Sequence, residues 1–257
     1  MSSFAQKIKT LKNINLKWAV RYYSKKVRMY AQYWFSSLIG RTYFTAVIDG
    51  TRIKLAWLLP YQHLYAYQES RGMHEPTLLL KWKKEAEHAQ VIFDCGGYNG
   101  MYGLLAAAAN PSAKVYIFEP SPGAAENIQK NIAINNFSNI IFVPKAVGGT
   151  VGTQTFTNDG AGSAGALSNK GTITVETTTL TSYEPPDLIK LDIVGAEYDA
   201  LTAARTTLTT RAVKIFLELY PQNKEKLLPF LQELGYTTEF LYPRADGGVE
   251  YYFVSKS

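Results

Sequence analysis

From residue 91 onward, short apolar runs alternate with longer stretches whose apolar residues recur every three or four positions. The short runs, 91–95, 114–119, 139–143, 187–193 and 213–219, predict strands. The longer stretches predict helices over 99–109, 122–136, 195–208 and 223–235. Strands that alternate with helices need right-handed crossovers, hence a mostly parallel α/β sheet with helices on both faces. Two further β-rich runs, 236–242 and 249–255, flank Pro243-Arg-Ala-Asp-Gly-Gly248. They predict a closing hairpin that adds an antiparallel edge strand, for seven strands in all.

Upstream the pattern changes. Leu16, Val20, Tyr23, Val27, Tyr30 and Trp34 share one face of a predicted helix over 4–38. Gly40 breaks it. Residues 44–48 and 51–55 around Asp49-Gly50 predict a hairpin, because Asp-Gly suits a turn with positive φ. A short helix over 73–86 leads into the first core strand. Residues 148–173 break the later rhythm, being rich in Gly, Ser, Thr and Ala, and 172–180 are strand-like again. That segment reads as edge strands or a loop, with a substrate-covering lid as the functional alternative.

Charge sharpens this division. Residues 1–48 hold nine basic residues (Lys7, Lys9, Lys12, Lys17, Arg21, Lys25, Lys26, Arg28 and Arg41) and no acid. The rest of the 27 basic and 21 acidic residues give residues 49–257 a charge of 18 − 21 = −3. A basic arm precedes a mildly acidic globule. The arm reads as a helix packed on the domain, a helix lying on an anionic membrane surface, or a nucleic-acid contact. No apolar run reaches the roughly 18–20 residues a membrane span needs, and no signal peptide is expected. The single cysteine, Cys95, excludes an internal disulfide. A reducing, cytoplasmic setting is the expectation, with peripheral membrane contact through 4–38 as one of the readings of the arm.

The chemistry concentrates at one place. Val91-Ile-Phe-Asp94 runs into Cys95-Gly96-Gly97-Tyr98-Asn99-Gly100, and a second apolar strand ends at Glu119-Pro120, nineteen residues past Gly100. This is the layout of a nucleotide-type cofactor site at the carboxyl edge of a parallel sheet. A dinucleotide fingerprint would need glycine at 95, and no Gly-Lys-Ser/Thr phosphate loop is present. A strand-end carboxylate beside few phosphate-facing groups suits a cofactor with an amine and a sulfonium. S-adenosylmethionine (SAM) is favoured, with a nicotinamide or flavin as alternative. Glu119 is placed to accept from two ribose hydroxyls.

Several blocks in order carry a resemblance. They are Asp94-Cys-Gly96-Gly97-Tyr98-Asn99-Gly100, Phe118-Glu119-Pro120-Ser121, Asn131-Ile-Ala-Ile-Asn135, Lys145-Ala146-Val147, and Ile189-Lys190-Leu-Asp192-Ile-Val-Gly195-Ala-Glu197. Over roughly residues 70–220 the chain resembles the FkbM family of SAM-dependent methyltransferases. The resemblance implies the class I, Rossmann-like methyltransferase fold, SAM as cofactor, and a hydroxyl oxygen, often on a sugar or natural product, as acceptor. By position, Asp94, Gly96 and Gly100 would shape the methionine and ribose end, with Gly97, Tyr98 and Asn99 in the same turn. Glu119 and Pro120 would lie at the ribose, and Ser121, Ala146 and Val147 near the adenine. Asp192 would lie near the reacting methyl. Tyr98 departs from the family, which commonly has Asn there. Three parts follow: a basic amphipathic extension (1–40), a hairpin and lead-in helix packed on the core (41–90), and a SAM-binding domain (91–257).

An alcohol is a poor nucleophile at neutral pH, so a general base helps. Asp192 is the first candidate, as base or as the group that orients the acceptor, and Glu218 the second. Glu197 reads as helix-start stabilisation, and Lys190 as a strand residue reaching solvent or pairing with a carboxylate. Two acids are a weak signal for a divalent ion, so no metal is expected. Of the histidines, His88 reads as solvated and His74 as part of a helix start; His63 carries no signal. The Asp/Asn-Pro-Pro-Tyr motif of many base-modifying methyltransferases is missing after 192. That disfavours an exocyclic amine on a nucleic acid, and the resemblance makes a glycan, glycolipid or small hydroxylated metabolite the expected acceptor. A nucleic-acid methyltransferase that uses the basic arm, or a non-catalytic binding module, remains as a rival. Oligomeric state is unreadable.

Overall fold

The computed structural model describes residues 38, 43–56, 76–157, 165–243 and 248–256. The predicted helix over 4–38, apart from Leu38, and residues His63 and His74 lie outside them. The chain divides into two compact units, Met1–Phe44 and Thr45–Ser257, and nearly all described residues belong to the second.

The second unit is built on a seven-stranded sheet. Its parallel part comprises β3 (Val91–Cys95), β4 (Lys114–Phe118), β5 (Ile140–Val143), β10 (Leu188–Leu191) and β11 (Lys214–Leu219). β12 (Thr237–Pro243) and β13 (Glu250–Ser255) complete it, in the order β12-β13-β11-β10-β3-β4-β5. The parallel strands are those the apolar runs predicted, to within one or two residues. The closing hairpin differs: β13 pairs antiparallel with both β11 and β12, so β12 is the edge strand and runs parallel to β11. Burial explains the order. Tyr251, Tyr252, Phe253 and Val254 of β13 are all buried, whereas residues 237–240 of β12 are exposed. A strand apolar on both faces belongs inside a sheet.

Alternation of side chains across each strand makes two cores. On one face Phe93, Cys95, Phe118, Ile189, Leu191, Ile215 and Leu217 pack in one cluster with residues of three helices. These are α4 (Glu197–Ala203), α5 (Arg205–Thr210) and α6 (Pro221–Glu233). The other face buries Ile92, Val115, Ile117, Leu188 and Phe216. It is covered by α1 (Pro76–Ala86), α2 (Met101–Ala109) and α3 (Pro122–Asn135). Trp82 of α1 is fully buried there, edge-on to Phe216 at 5.3 Å, and its indole N–H donates to the Tyr102 carbonyl at 2.9 Å. Each large side chain sealed in this way contributes about 1.5–3 kcal/mol.

The single helix predicted over 195–208 is two, α4 and α5, divided at Ala204. No glycine or proline marks that break. The second piece is threonine-rich, and the Thr209 and Thr210 hydroxyls donate back to the carbonyls of Arg205 and Thr206. Such back-bonding bends helices.

The expected N-terminal hairpin is present as β1 (Tyr43–Ile48) and β2 (Thr51–Ala56). Two asparagines of the Asn131-Ile-Ala-Ile-Asn135 block attach β2 to α3. Asn135 Oδ1 accepts from the Lys54 N–H and its Nδ2 donates to the Lys54 carbonyl, both at 2.7 Å. Asn131 Oδ1 accepts from the Ala56 N–H at 2.7 Å, and its Nδ2 reaches the Asn99 carbonyl at 2.8 Å. The hairpin is thereby tied to the glycine turn.

A separate four-stranded sheet takes in residues 148–173, read as edge strands, a loop or a lid, and the strand-like run that follows them. It comprises β6 (Ala146–Val147), β7 (Gly152–Thr157), β8 (Ala166–Leu167) and β9 (Ile173–Thr178), in the order β6-β9-β7-β8. Ala146, Phe156 and Val175 form its small core.

Candidate active site

At the carboxyl ends of β3, β4 and β10 lies a cleft of about 550 Å³, part of it open to solvent. It is lined by the glycine turn (Gly96, Tyr98), the end of β4 (Phe118, Glu119, Pro120) and the segment after β10 (Asp192, Ile193, Val194). The small sheet adds Ala146, Val147, Phe156, Gly165 and Leu167. Of the residues the sequence singled out, Gly96, Tyr98, Glu119, Pro120, Ala146, Val147 and Asp192 meet here.

The turn forms because β3 and β4 run side by side. The Gly96 and Gly97 N–H groups both donate to the Phe118 carbonyl at 3.0 Å. Asn99 Oδ1 then accepts from the Met101 N–H at 2.9 Å and starts α2. Gly97, Asn99 and Gly100 thus build the turn without lining the cleft. Tyr98 sits at a φ of 49°, unusual for a bulky residue. In that conformation its N–H donates to Glu119 Oε2 at 2.9 Å. The Ser121 N–H donates to Oε1 at 2.9 Å, so Ser121 acts behind the cleft through its backbone.

Glu119 is nearly sealed, and burial pushes its carboxyl up to about 7, against the pull of the Ser121 and Tyr98 N–H groups. Each oxygen has accepted one N–H and keeps a second lone pair.

Asp94 lies beneath the turn, wholly buried. Its Oδ2 accepts from the Gly103 N–H at 2.8 Å, and its Oδ1 has no hydrogen bond. Burial raises its pKa, and the nearby Lys190 charge opposes that shift. Lys190, in register with Asp94 on the next strand, is also buried. Its ammonium lies 2.9 Å from the Gly96 carbonyl, 3.3 Å from Asp192 Oδ2 and 3.7 Å from Asp94 Oδ1. Of the two readings for this lysine, pairing with carboxylates is the one found. A lysine inside an apolar strand and two positions from an aspartate was the sequence signal for it.

Asp192 follows β10 at the lip of the cleft, its side chain 29% exposed. Glu218 lies on neighbouring β11, mostly buried and away from the cleft lining. Glu197 stands at the start of α4, as its helix-start reading expects, and is fully buried there, accepting from the Gly195 N–H and from Asn223. Burial raises its pKa, against those donors. Val194, a β-branched residue at a φ of 47°, carries strain of about 1–3 kcal/mol. Sequence reasoning passed over Ile193, Val194, Phe118, Phe156, Gly165, Leu167 and Asn223. Ordinary apolar residues give no signal until topology brings them to a sheet edge. Cys95 is buried with its thiol pKa raised by burial, and His88 is exposed. Among the described residues no group of three or more His, Cys, Asp or Glu is placed to hold a metal ion. No helix among them is long and apolar enough to cross a membrane.

The profile of the Methyltransferase FkbM domain matches residues 94–238, more than half of the chain. The chain belongs to the FkbM methyltransferase family. Membership makes SAM the methyl donor. No curated protein matches this FkbM methyltransferase by sequence. Among solved structures it is similar to a methyltransferase FkbM from Methylobacillus flagellatus (15% identity, TM-score 0.49), covering 76% of this chain and 54% of that one. It is also similar to a precorrin-6y C5,15-methyltransferase from Geobacter metallireducens (15% identity, TM-score 0.48, 72% and 90% covered). An rRNA methylase from Streptococcus thermophilus is at 13% identity and TM-score 0.48, with 70% and 94% covered.

The cleft of this FkbM methyltransferase suits the donor. Glu119 has free lone pairs at a strand end, Ala146, Val147, Phe156 and Leu167 offer apolar wall, and among the described residues no lysine or arginine lines the cleft as a phosphate would require.

Proposed function

We propose that this methyltransferase transfers the SAM methyl group to a hydroxyl oxygen of a glycan, a glycolipid or a small hydroxylated metabolite. The observation that carries this reading is Asp192, a partly exposed carboxylate at the lip of the cleft whose Oδ2 lies 3.3 Å from Lys190. SAM supplies an electrophilic methyl on a sulfonium, whose sulfur keeps the electron pair when the methyl leaves. The protein's share is alignment and proton removal. Asp192 accepts the hydroxyl hydrogen bond, orients the oxygen and takes its proton as the O–C bond forms. Lys190 keeps that carboxylate in place. Glu119 holds the ribose diol. Asp94, which bonds the Gly103 N–H beneath the turn, keeps its shape. Ile193-Val194-Gly195 follows Asp192 where base-modifying enzymes place prolines and an aromatic, which supports an alcohol over an exocyclic amine. The basic residues 1–48 support a peripheral contact with anionic membrane, where a glycolipid acceptor would lie.

Labelled SAM incubated with the full chain and host glycan, lipid and RNA fractions tests this. Base-labile label in glycan or lipid is expected to be absent, because a methyl ether resists mild alkali. Alkali-stable methyl label in those fractions is expected instead, and label in RNA alone would overturn the reading.

Glu119 gives a pH signature. Its raised pKa means that the folded chain holds this proton more tightly than the unfolded chain does. The resulting stability is present below the ordinary value of 4.5 and is lost as pH rises toward about 7. Two hydroxyls are best accepted by the ionised form, so SAM affinity should rise as pH passes through 7. Calorimetry in buffers of different ionisation enthalpy should show proton release on binding below that pH. Glu119→Ala should cost about 1–3 kcal/mol of affinity and remove the proton release. Unchanged affinity would place the ribose elsewhere.

A further inference from the structure

Asp192, Ile193 and Val194 form one wall of the cleft, in a turn that this sequence does not favour. Val194 stands at a φ of 47°, a region β-branched residues avoid. Both ends of the turn are pinned. On the near side the Asp192 N–H donates to the Cys95 carbonyl at 3.1 Å. The Asp192 carbonyl presses on Gly96, where a Cβ would come within 1.8 Å of its oxygen. On the far side Gly195 is held twice. Its N–H donates to Glu197 Oε1 at 2.7 Å, and its carbonyl accepts from Asn223 Nδ2 at 2.9 Å. Asn223 Nδ2 also donates to Glu197 Oε2 at 2.6 Å and closes the clamp. Glu197 is fully buried and Asn223 nearly so. Only residues 193 and 194 remain to bridge two fixed ends, and the strain falls on Val194. Strained backbone persists where its surroundings over-determine it.

We propose that Glu197 and Asn223 are positioning residues that hold Val194 left-handed and so set the Asp192–Val194 wall against the bound cofactor. This rests on the reading of the cleft as the SAM site. It predicts more than a structural role at the start of α4, because the effect must pass through the conformation of residue 194.

Calorimetry of SAM binding to the full chain tests it. Glu197→Gln sets an amide donor against the Asn223 donor and should weaken SAM by about tenfold or more. Glycine adopts the left-handed region without the clamp. In a Val194→Gly background the same change should therefore cost less than about threefold, a non-additive cycle. Asn223→Ala should behave like Glu197→Gln in both backgrounds, and it replaces that variant if Glu197→Gln does not fold. An equal cost in the two backgrounds, or no cost in the natural chain, overturns the proposal. So does a folding defect in both single variants that Val194→Gly does not repair. A natural chain that takes up no SAM overturns the reading of the cleft itself, a result visible before any variant is made.

Discussion

Gly96→Ala is expected to lower folding stability by about 3–5 kcal/mol and to abolish measurable SAM uptake, while Gly100→Ala costs only about 1–2 kcal/mol. Both glycines sit at a left-handed φ, +80° and +81°, so backbone strain does not separate them. Their surroundings do. A Cβ on Gly96 would lie 1.8 Å from the Asp192 carbonyl oxygen and 2.9 Å from its carbon. Those are main-chain atoms, fixed by the Asp192 N–H bond to the Cys95 carbonyl. Relief requires the β3 and β10 loops to part. Parting them breaks that bond and moves the Lys190 ammonium from the Gly96 carbonyl it meets at 2.9 Å. A Cβ on Gly100 meets nothing nearer than the Leu104 side chain at 3.4 Å. Urea midpoints and calorimetry on the two variants measure the difference. Equal losses would show that left-handed φ, rather than the close approach of two loops, limits the turn.

That contrast shows what a sequence discloses and what it withholds. Three glycines behind Asp94 announced a turn. Their separate reasons, close approach at Gly96 and backbone conformation at Gly100, depend on what lies across the sheet. The parallel strands were legible because a strand buried on both faces has to be an apolar run. The place of β13 was legible too, in the unbroken Tyr251-Tyr252-Phe253-Val254, but the closing hairpin was read as a unit and set at the edge. The break at Ala204 was not legible, since no residue there forbids a longer helix.

The site divides in the same way. Glu119 and Asp192 were visible as acids ending apolar strands, because such acids cluster at one edge of a parallel sheet. Glu218 ends the next strand and satisfied the same rule, yet it stays out of the cleft lining. The rule finds the edge and not the direction of a side chain. Asn223 and Phe156 could not be found by any such rule. One lies on a helix beyond β11 and the other in a separate small sheet, and only the tertiary fold brings them to the turn after β10 and to the cleft wall.

Asp192→Asn is expected to lower the rate of methyl transfer by about 10²–10⁴-fold while changing SAM affinity by no more than a few-fold. The amide keeps the size of the side chain and can still accept one hydrogen bond, so the acceptor hydroxyl finds a partner. What it lacks is a basic oxygen to take the proton while the O–C bond forms. The Lys190 ammonium, 3.3 Å from Oδ2 in the natural chain, loses a charged partner but keeps the Gly96 carbonyl at 2.9 Å. The turn that holds the cofactor should therefore survive. A loss in kcat with Kd for SAM preserved identifies Asp192 as the base. Equal losses in both would make it a ligand of the donor rather than the base.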